Sequence, residues 1–141
     1  MSGFIGQTIG KYQIETLIGH GSMADVYLAR HVDLGNPVAV KIIHPHLLSQ
    51  PAFLERFKRE AEVMAALRHP HIVRLYEFIC QPELAAIVME YLPGGTLEAR
   101  LAQHRSPGQE LPLAEGMKWM EALCSAVDFA HRRNLVHRDL K

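Results

Sequence analysis

The sequence predicts an α+β chain: a five-stranded antiparallel sheet with one helix, followed by an incomplete helical region. Three observations carry this. β-rich apolar runs bounded by turn residues recur at 12–18, 26–31, 37–43, 72–80 and 84–89; one block at 51–68 has helical spacing; and the chain is helical in pattern from Pro93 almost to its end.

In chain order, the run 12–18 enters Gly19-His20-Gly21-Ser22 and leaves as the run 26–31, which is the pattern of a glycine hairpin; Pro37 to Ile43 supply the third strand. Ser49 and Pro51 mark the start of a helix over 51–68, with Phe53, Phe57, Ala61, Met64 and Leu67 on one side. Past His69-Pro70, Gln81-Pro82-Glu83 separates two further strands into a second hairpin. Thr96 can cap a short helix reaching His104, and Ser106-Pro107-Gly108 breaks it. A longer helix over 112–133 carries Leu113, Met117, Met120, Leu123, Cys124, Val127 and Ala130 on a broad apolar arc, and Asn134 is a left-handed stop. That arc is expected to leave Met, Leu or Trp119 surface exposed and to favour self-association. Leu135 and Val136 begin an extended piece that ends in His137-Arg138-Asp139-Leu140-Lys141. A domain boundary normally follows a completed element, so this ending has the character of a fragment.

Composition narrows the function classes. Of 141 residues 48% are hydrophobic, enough for a core, and 15 Lys+Arg balance 15 Asp+Glu, which argues against a basic nucleic-acid or membrane footprint. The chain contains neither an apolar run of the ~18 residues that span a bilayer nor a basic-then-apolar leader, so a soluble, cytoplasmic chain is expected. Cys80 and Cys124 stand far apart, supporting no disulfide framework or zinc knuckle. The nine histidines are joined by no carboxylate or thiol cluster in sequence, so no metal site is expected.

Four segments carry candidate chemistry. Gly19-x-Gly21-x-x-Ala24 is followed by strand and not by helix, which argues against a dinucleotide fingerprint and for a hairpin lid over phosphates, an ordinary glycine hairpin being the alternative. In Val38-Ala39-Val40-Lys41-Ile42, alternation puts Ala39 and Lys41 on one face and the other three residues on the opposite one. A flat base can sit against Ala39 while the Lys41 ammonium reaches phosphate oxygens; a lysine on a solvated face is the alternative. Glu60 falls between Phe57 and Met64 in the apolar stripe, where a carboxylate needs a cation, and Lys41 is the candidate unless Glu60 reaches out to water. The fourth segment is His137 to Lys141.

Together these segments resemble the first half of a eukaryotic-like Ser/Thr protein kinase domain, similar to the bacterial receptor-type kinases. Gly19-His20-Gly21-Ser22-Met23-Ala24-Asp25-Val26, Val38-Ala39-Val40-Lys41, Arg59-Glu60-Ala61, His69-Pro70-His71-Ile72-Val73, Val88-Met89-Glu90-Tyr91-Leu92 and His137-Arg138-Asp139-Leu140-Lys141 occur in that family's order. The resemblance implies a kinase-like fold: an N-terminal extension at 1–11, an ATP-binding N-lobe and hinge at 12–92, and the truncated start of a C-lobe at 93–141.

It also implies roles. Ile18, Gly19, His20, Gly21, Ser22, Met23, Ala24 and Val26 would cover ATP, with Val26 and Ala39 against the adenine. Lys41 would contact the α- and β-phosphates while paired with Glu60. Met89 matches the gatekeeper, and Glu90, Tyr91 and Leu92 match the hinge. Asp139 would be the catalytic base and Lys141 would steady the γ-phosphate. His137 would be a packed core histidine, and Arg138 the arginine that grips a phosphorylated loop in many relatives.

Ala24 in place of the third glycine is a mild departure. The Mg²⁺-binding Asn and the D-F-G aspartate belong after Lys141, so the 141 residues are expected to be inactive alone. The implied activity is ATP-dependent phosphorylation of Ser/Thr in protein substrates, with Mg²⁺, in the cytoplasm or as the cytoplasmic part of a membrane-anchored kinase if the natural chain is longer. A non-catalytic nucleotide-binding or interaction module is the alternative, and a truncated product without function of its own a third reading.

Overall fold

The computed structural model of the chain describes residues 3–104, 108 and 110–137. They form β1 (Thr8–Ile9), β2 (Tyr12–His20), β3 (Ala24–His31), β4 (Pro37–Ile43), α1 (Pro45–Leu48), α2 (Pro51–Ala66), β5 (Leu75–Gln81), β6 (Leu84–Glu90), α3 (Leu97–Ala102) and α4 (Leu113–His131). The chain divides into two compact units, one of residues up to Leu67 with Val73–Tyr91, the other of Arg68–Ile72 with residues from Leu92 onward. No helix among the described residues is long and apolar enough to cross a membrane.

The first unit is a six-stranded sheet in the order β1-β2-β3-β4-β6-β5, with every neighbouring pair antiparallel. Five of these strands are the expected ones. The sixth, β1, lies in the stretch expected to be an extension: Ile9 pairs with Tyr12 across the two-residue loop Gly10-Lys11, in which Gly10 has φ +58°. A side chain at Gly10 would be strained by that backbone, and its Cβ would stand 3.2 Å from Ile79 Cδ1, a tight contact that the end of that side chain would have to shift to relieve.

The register sorts the side chains of the sheet into two cores. On one face Tyr27, Ala29, Val38, Val40, Ile42 and Val88 pack with Ile9, Tyr12, Ile14 and Ile79. On the other, Ala24, Ile43, Ala85 and Ile87 pack against Phe57 and Ala61 of α2. Although β2 and β5 stand near opposite ends of the strand order, the Tyr12 hydroxyl donates to Glu77 Oε2 at 3.1 Å and Ile79 shares a core with Ile9. The sheet therefore coils strongly enough to bring its two ends together.

Helix α2 begins with Pro51 at its first turn and buries Phe57 and Ala61. Phe57 packs on Phe53 and Phe78 with ring centroids 6.5 and 5.7 Å away. Burial of such a side chain contributes about 1.5–3 kcal/mol. The one-turn α1 was not expected: Pro45 starts it, and the Ser49 hydroxyl, expected at the start of α2, instead donates to the carbonyl of His46 at 3.1 Å.

In the second unit Thr96 caps α3 by accepting from the Ala99 amide at 3.1 Å, and Asn134 adopts φ 59° after α4, both as the sequence predicts. Arg100 of α3 pairs with Glu115 of α4 at 3.1 Å. His69 docks the 68–72 segment on α4 through Ser125 Oγ at 3.0 Å and the Phe129 ring at 4.9 Å. Leu113, Met117, Met120 and Leu123 are exposed along α4, as its broad apolar arc implied, and Trp119 is half-buried.

Burial first, then the Glu77 hydrogen bond and charge, push the Tyr12 phenol above its ordinary pKa of 10.0. A pKa raised by folding means that the associated stability is fully present below the unfolded value and is lost as pH rises through the folded one. Tyr12→Phe is expected to cost about 1 kcal/mol at pH 7. Above about pH 10, where the free phenol ionises, the gap between the two proteins narrows. Urea unfolding at pH 7 and at high pH measures this; an equal gap at both would contradict the Tyr12–Glu77 closure.

Candidate functional site

The glycine segment forms the turn between β2 and β3. The Gly21 amide donates to the Ala24 carbonyl at 3.1 Å, and a Cβ on Gly21 would meet that oxygen at 3.0 Å, so the tight turn requires glycine there. A Cβ on Gly19 would meet only Val26 at an ordinary 3.5 Å. Packing within the chain therefore does not demand Gly19, and its bare backbone is open to a ligand. Ile18, His20, Gly21, Ser22 and Met23 are exposed, Gly19 and Val26 half-buried, and Ala24 buried.

Strand pairing sets Val26 opposite Lys41, Leu28 opposite Ala39, and Ala39 opposite Met89. Directly paired residues share a face, so Val26, Ala39, Lys41 and Met89 stand on the α2 side while Val38, Val40 and Ile42 fill the other core, as strand alternation predicts. Lys41 is half-buried, and so are Met89, Glu90 and Tyr91, whereas Leu92 is exposed. The Glu90 amide donates to the Arg74 carbonyl at 2.8 Å, fixing the end of β6 on the chain that enters β5. Between Tyr91 and Leu92 the chain passes from the first unit to the second.

A cavity of about 210 Å³ lies between α2 and β4, lined by Met23, Lys41, Ile43, Phe53, Arg56, Phe57 and Glu60. Lys41 and Glu60 are thus brought to one space from different elements. Glu60 lies on the side of α2 toward Lys41, as its spacing predicts; the two form no ion pair within 4.0 Å, and Glu60 is exposed and not buried in the apolar stripe. The reason is geometric: the cavity keeps the two elements apart at this point and lets water reach Glu60. Arg56, one turn before Glu60 on the same side of α2, was not singled out in the sequence because its charge looked like ordinary helix surface.

His137 is exposed and not a packed core histidine; Ala126 is the one buried hydrophobic residue among the described residues of the second unit. Arg138, Asp139, Leu140 and Lys141 lie outside the described residues.

Sequence reasoning also missed a cluster at the hairpin. Asp25 Oδ1 lies 2.5 Å from His20 Nδ1 and 3.1 Å from His44 Nε2. Burial raises the Asp25 pKa, but the neighbouring imidazoles of His44 and His20 outweigh it and hold the carboxyl below its usual range. The three residues are five and nineteen positions apart in sequence and meet only because Asp25 is in register with Ile42, two residues before His44.

The model of the protein kinase domain matches residues 12–141 of the chain. The chain belongs to the protein kinase domain family. Relatives include the CBL-interacting serine/threonine-protein kinase 19 of Arabidopsis thaliana, 39% identical over 135 residues, covering 94% of the chain and 26% of the relative. The CBL-interacting protein kinase 19 of Oryza sativa subsp. japonica is 38% identical over 136 residues, covering 96% and 26%. Among solved structures, the Mycobacterium tuberculosis PknI kinase domain superposes with a TM-score of 0.76 at 33% identity, covering 96% of the chain and 54% of that domain. The chain thus spans about a quarter of the length of these curated relatives. It is similar to Ser/Thr kinases and has a kinase-like fold.

Because Glu60 is exposed and unpaired by Lys41, Glu60→Gln is expected to change folding stability by less than about 0.5 kcal/mol. Phe57→Ala on the same helix should cost about 3–5 kcal/mol. Denaturant unfolding of the two variants checks this, and a Glu60→Gln cost of similar size to that of Phe57→Ala would mean that the pair is closed in solution.

Proposed function

We propose that the chain is the ATP-binding part of a Ser/Thr protein kinase, acting in its full-length form on hydroxyl groups of protein substrates. One observation carries the reading: Lys41 and Glu60 line a single cavity with Met23 of the glycine hairpin, on the sheet face that also presents Val26 and Ala39. A cationic group near a backbone-lined hairpin suits polyphosphate, and the small Ala39 beside it leaves room for a flat base.

In this reading Ile18 to Ala24 lie over the phosphates and Lys41 reaches the α- and β-phosphate oxygens. Glu60 holds the Lys41 ammonium in place when the cavity closes on nucleotide. Val26 and Ala39 bracket the adenine, and the backbone of Glu90, Tyr91 and Leu92 reads its edge beside Met89. Asp139 orients and deprotonates the attacking hydroxyl, and Lys141 steadies the γ-phosphate. Self-association through the exposed arc of α4 belongs to the same set of proposals.

The family's Mg²⁺ does not fit the described residues by themselves. Glu60 is the single carboxylate lining the cavity, and it stands there beside Lys41 and Arg56. Mg²⁺ asks for several oxygen ligands in an octahedral set. Its protein ligands are expected in sequence beyond Lys141, and without them the 141 residues bind nucleotide weakly and do not transfer phosphate.

The test compares the 141-residue chain with one extended through a complete kinase domain, using radiolabelled ATP, Mg²⁺ and a basic protein acceptor. The extended chain should label Ser or Thr, Asp139→Asn should lower its rate by about 10²-fold or more, and the short chain should give no labelling. An extended chain that binds ATP without transferring phosphate would overturn the enzyme reading in favour of a nucleotide-binding module. Labelling by the short chain that is abolished by Asp139→Asn would overturn its inactivity.

A further inference from the structure

The cluster at the base of the glycine hairpin has the composition and geometry of a cation site. His20 Nδ1, Asp25 Oδ1 and His44 Nε2 lie within 4.8 Å of one another. They come from three places: the last residue of β2, the second residue of β3 and the residue after β4. Their convergence is fixed by backbone, since Asp25 pairs with Ile42 and the His44 amide donates to the Met23 carbonyl at 2.9 Å.

Two further observations point to a ligand. Asp25 Oδ1 is enclosed and receives no well-directed hydrogen bond, although two imidazole nitrogens face it at 2.5 and 3.1 Å. An enclosed carboxylate oxygen without a directed donor is costly unless a cation meets it. The three ligand atoms are also of the kinds that bind one class of ion: two imidazole nitrogens and one carboxylate oxygen are a borderline-soft set, matched to Zn²⁺ and its neighbours and not to Mg²⁺ or Ca²⁺.

We propose that His20, Asp25 and His44 bind a single divalent transition-metal ion, with Zn²⁺ the ion they match best. Around tetrahedral Zn²⁺, ligand atoms about 2.0–2.1 Å from the metal are roughly 3.4 Å apart, so only small side-chain rotations separate the observed cluster from a bound geometry. The His20 side chain, 75% exposed, is free to make them, while His44 and Asp25 are each 20% exposed and already held. A fourth position is left for water. His46 is not in the ligand set: its ring centroid is 5.8 Å from that of His44, on the one-turn helix beyond.

An ion bound here ties the tip of β2 to the end of β4 and so stiffens the hairpin that contains Gly21, Ser22 and Met23. The metal assignment does not rest on the kinase reading.

Calorimetric titration of the 141-residue chain with Zn²⁺ at pH 7, together with the visible spectrum of the Co²⁺-loaded chain, tests the site. One equivalent is expected to bind, with Co²⁺ bands of tetrahedral nitrogen and oxygen ligation. His20→Ala, Asp25→Asn and His44→Ala should each weaken binding tenfold or more, and His46→Ala by less than twofold. His20→Ala removes an exposed side chain and leaves the fold intact, so it decides the matter if replacement of the less exposed His44 unfolds the chain. Absence of one-equivalent binding, affinity indifferent to His20→Ala, or loss of binding in His46→Ala would overturn the assignment.

Discussion

Everything positioned near the candidate site depends on the register of β3, β4 and β6. Val38, Val40 and Ile42 are each no more than 1% exposed in a core on one face, and that burial drives Ala39 and Lys41 to the other. A slip of one residue would turn three buried aliphatic side chains toward the α2 side and force the Lys41 ammonium into the core. Such a change costs far more than any gain from a different loop. The hydrophobic effect, acting on residues with no chemistry of their own, thereby aims the one cation on which the nucleotide reading rests.

Helix α2 completes the arrangement by packing Phe57 and Ala61 on that second face. The same anchoring leaves an opening one turn on, where Lys41, Arg56 and Glu60 share a cavity and no ion pair joins Lys41 to Glu60. Charges left beside water avoid the desolvation penalty of a buried pair. They also remain available: a polyanion entering the cavity finds two cations, Lys41 and Arg56, neither of them joined to Glu60 by an ion pair, and a carboxylate able to turn toward Lys41. The hairpin above is built for close approach, with Gly21 demanded by the Ala24 carbonyl and Gly19 free of any internal demand.

Much of this was legible in the sequence because it depends on local periodicity. Pro37–Ile43 was delimited correctly by alternation, and the Thr96 cap and the left-handed Asn134 follow from residue chemistry alone. What was not legible has a common cause, which is dependence on long-range pairing or on space. β1 is two residues long, too short to show a period, and is a strand only because Tyr12 pairs with Ile9. Glu60 lies on the apolar side of α2, as its spacing implies, but the spacing says nothing of the cavity beside it. His20, Asp25 and His44 meet only after a hairpin and a strand have formed. His137 was assigned to a core that the described residues of its unit do not provide.

The Lys41 ammonium is expected to face bound nucleotide phosphates while Lys11, Lys58 and Lys118 do not. An acyl-phosphate derivative of ATP transfers its acyl group to an amine lying beside the phosphates, and peptide mass spectrometry identifies which of the five lysines, Lys11, Lys41, Lys58, Lys118 and Lys141, has reacted. The account predicts preferential labelling of Lys41 that excess ATP suppresses. Labelling spread evenly over Lys11, Lys58 and Lys118, or labelling of Lys41 indifferent to ATP, would contradict it.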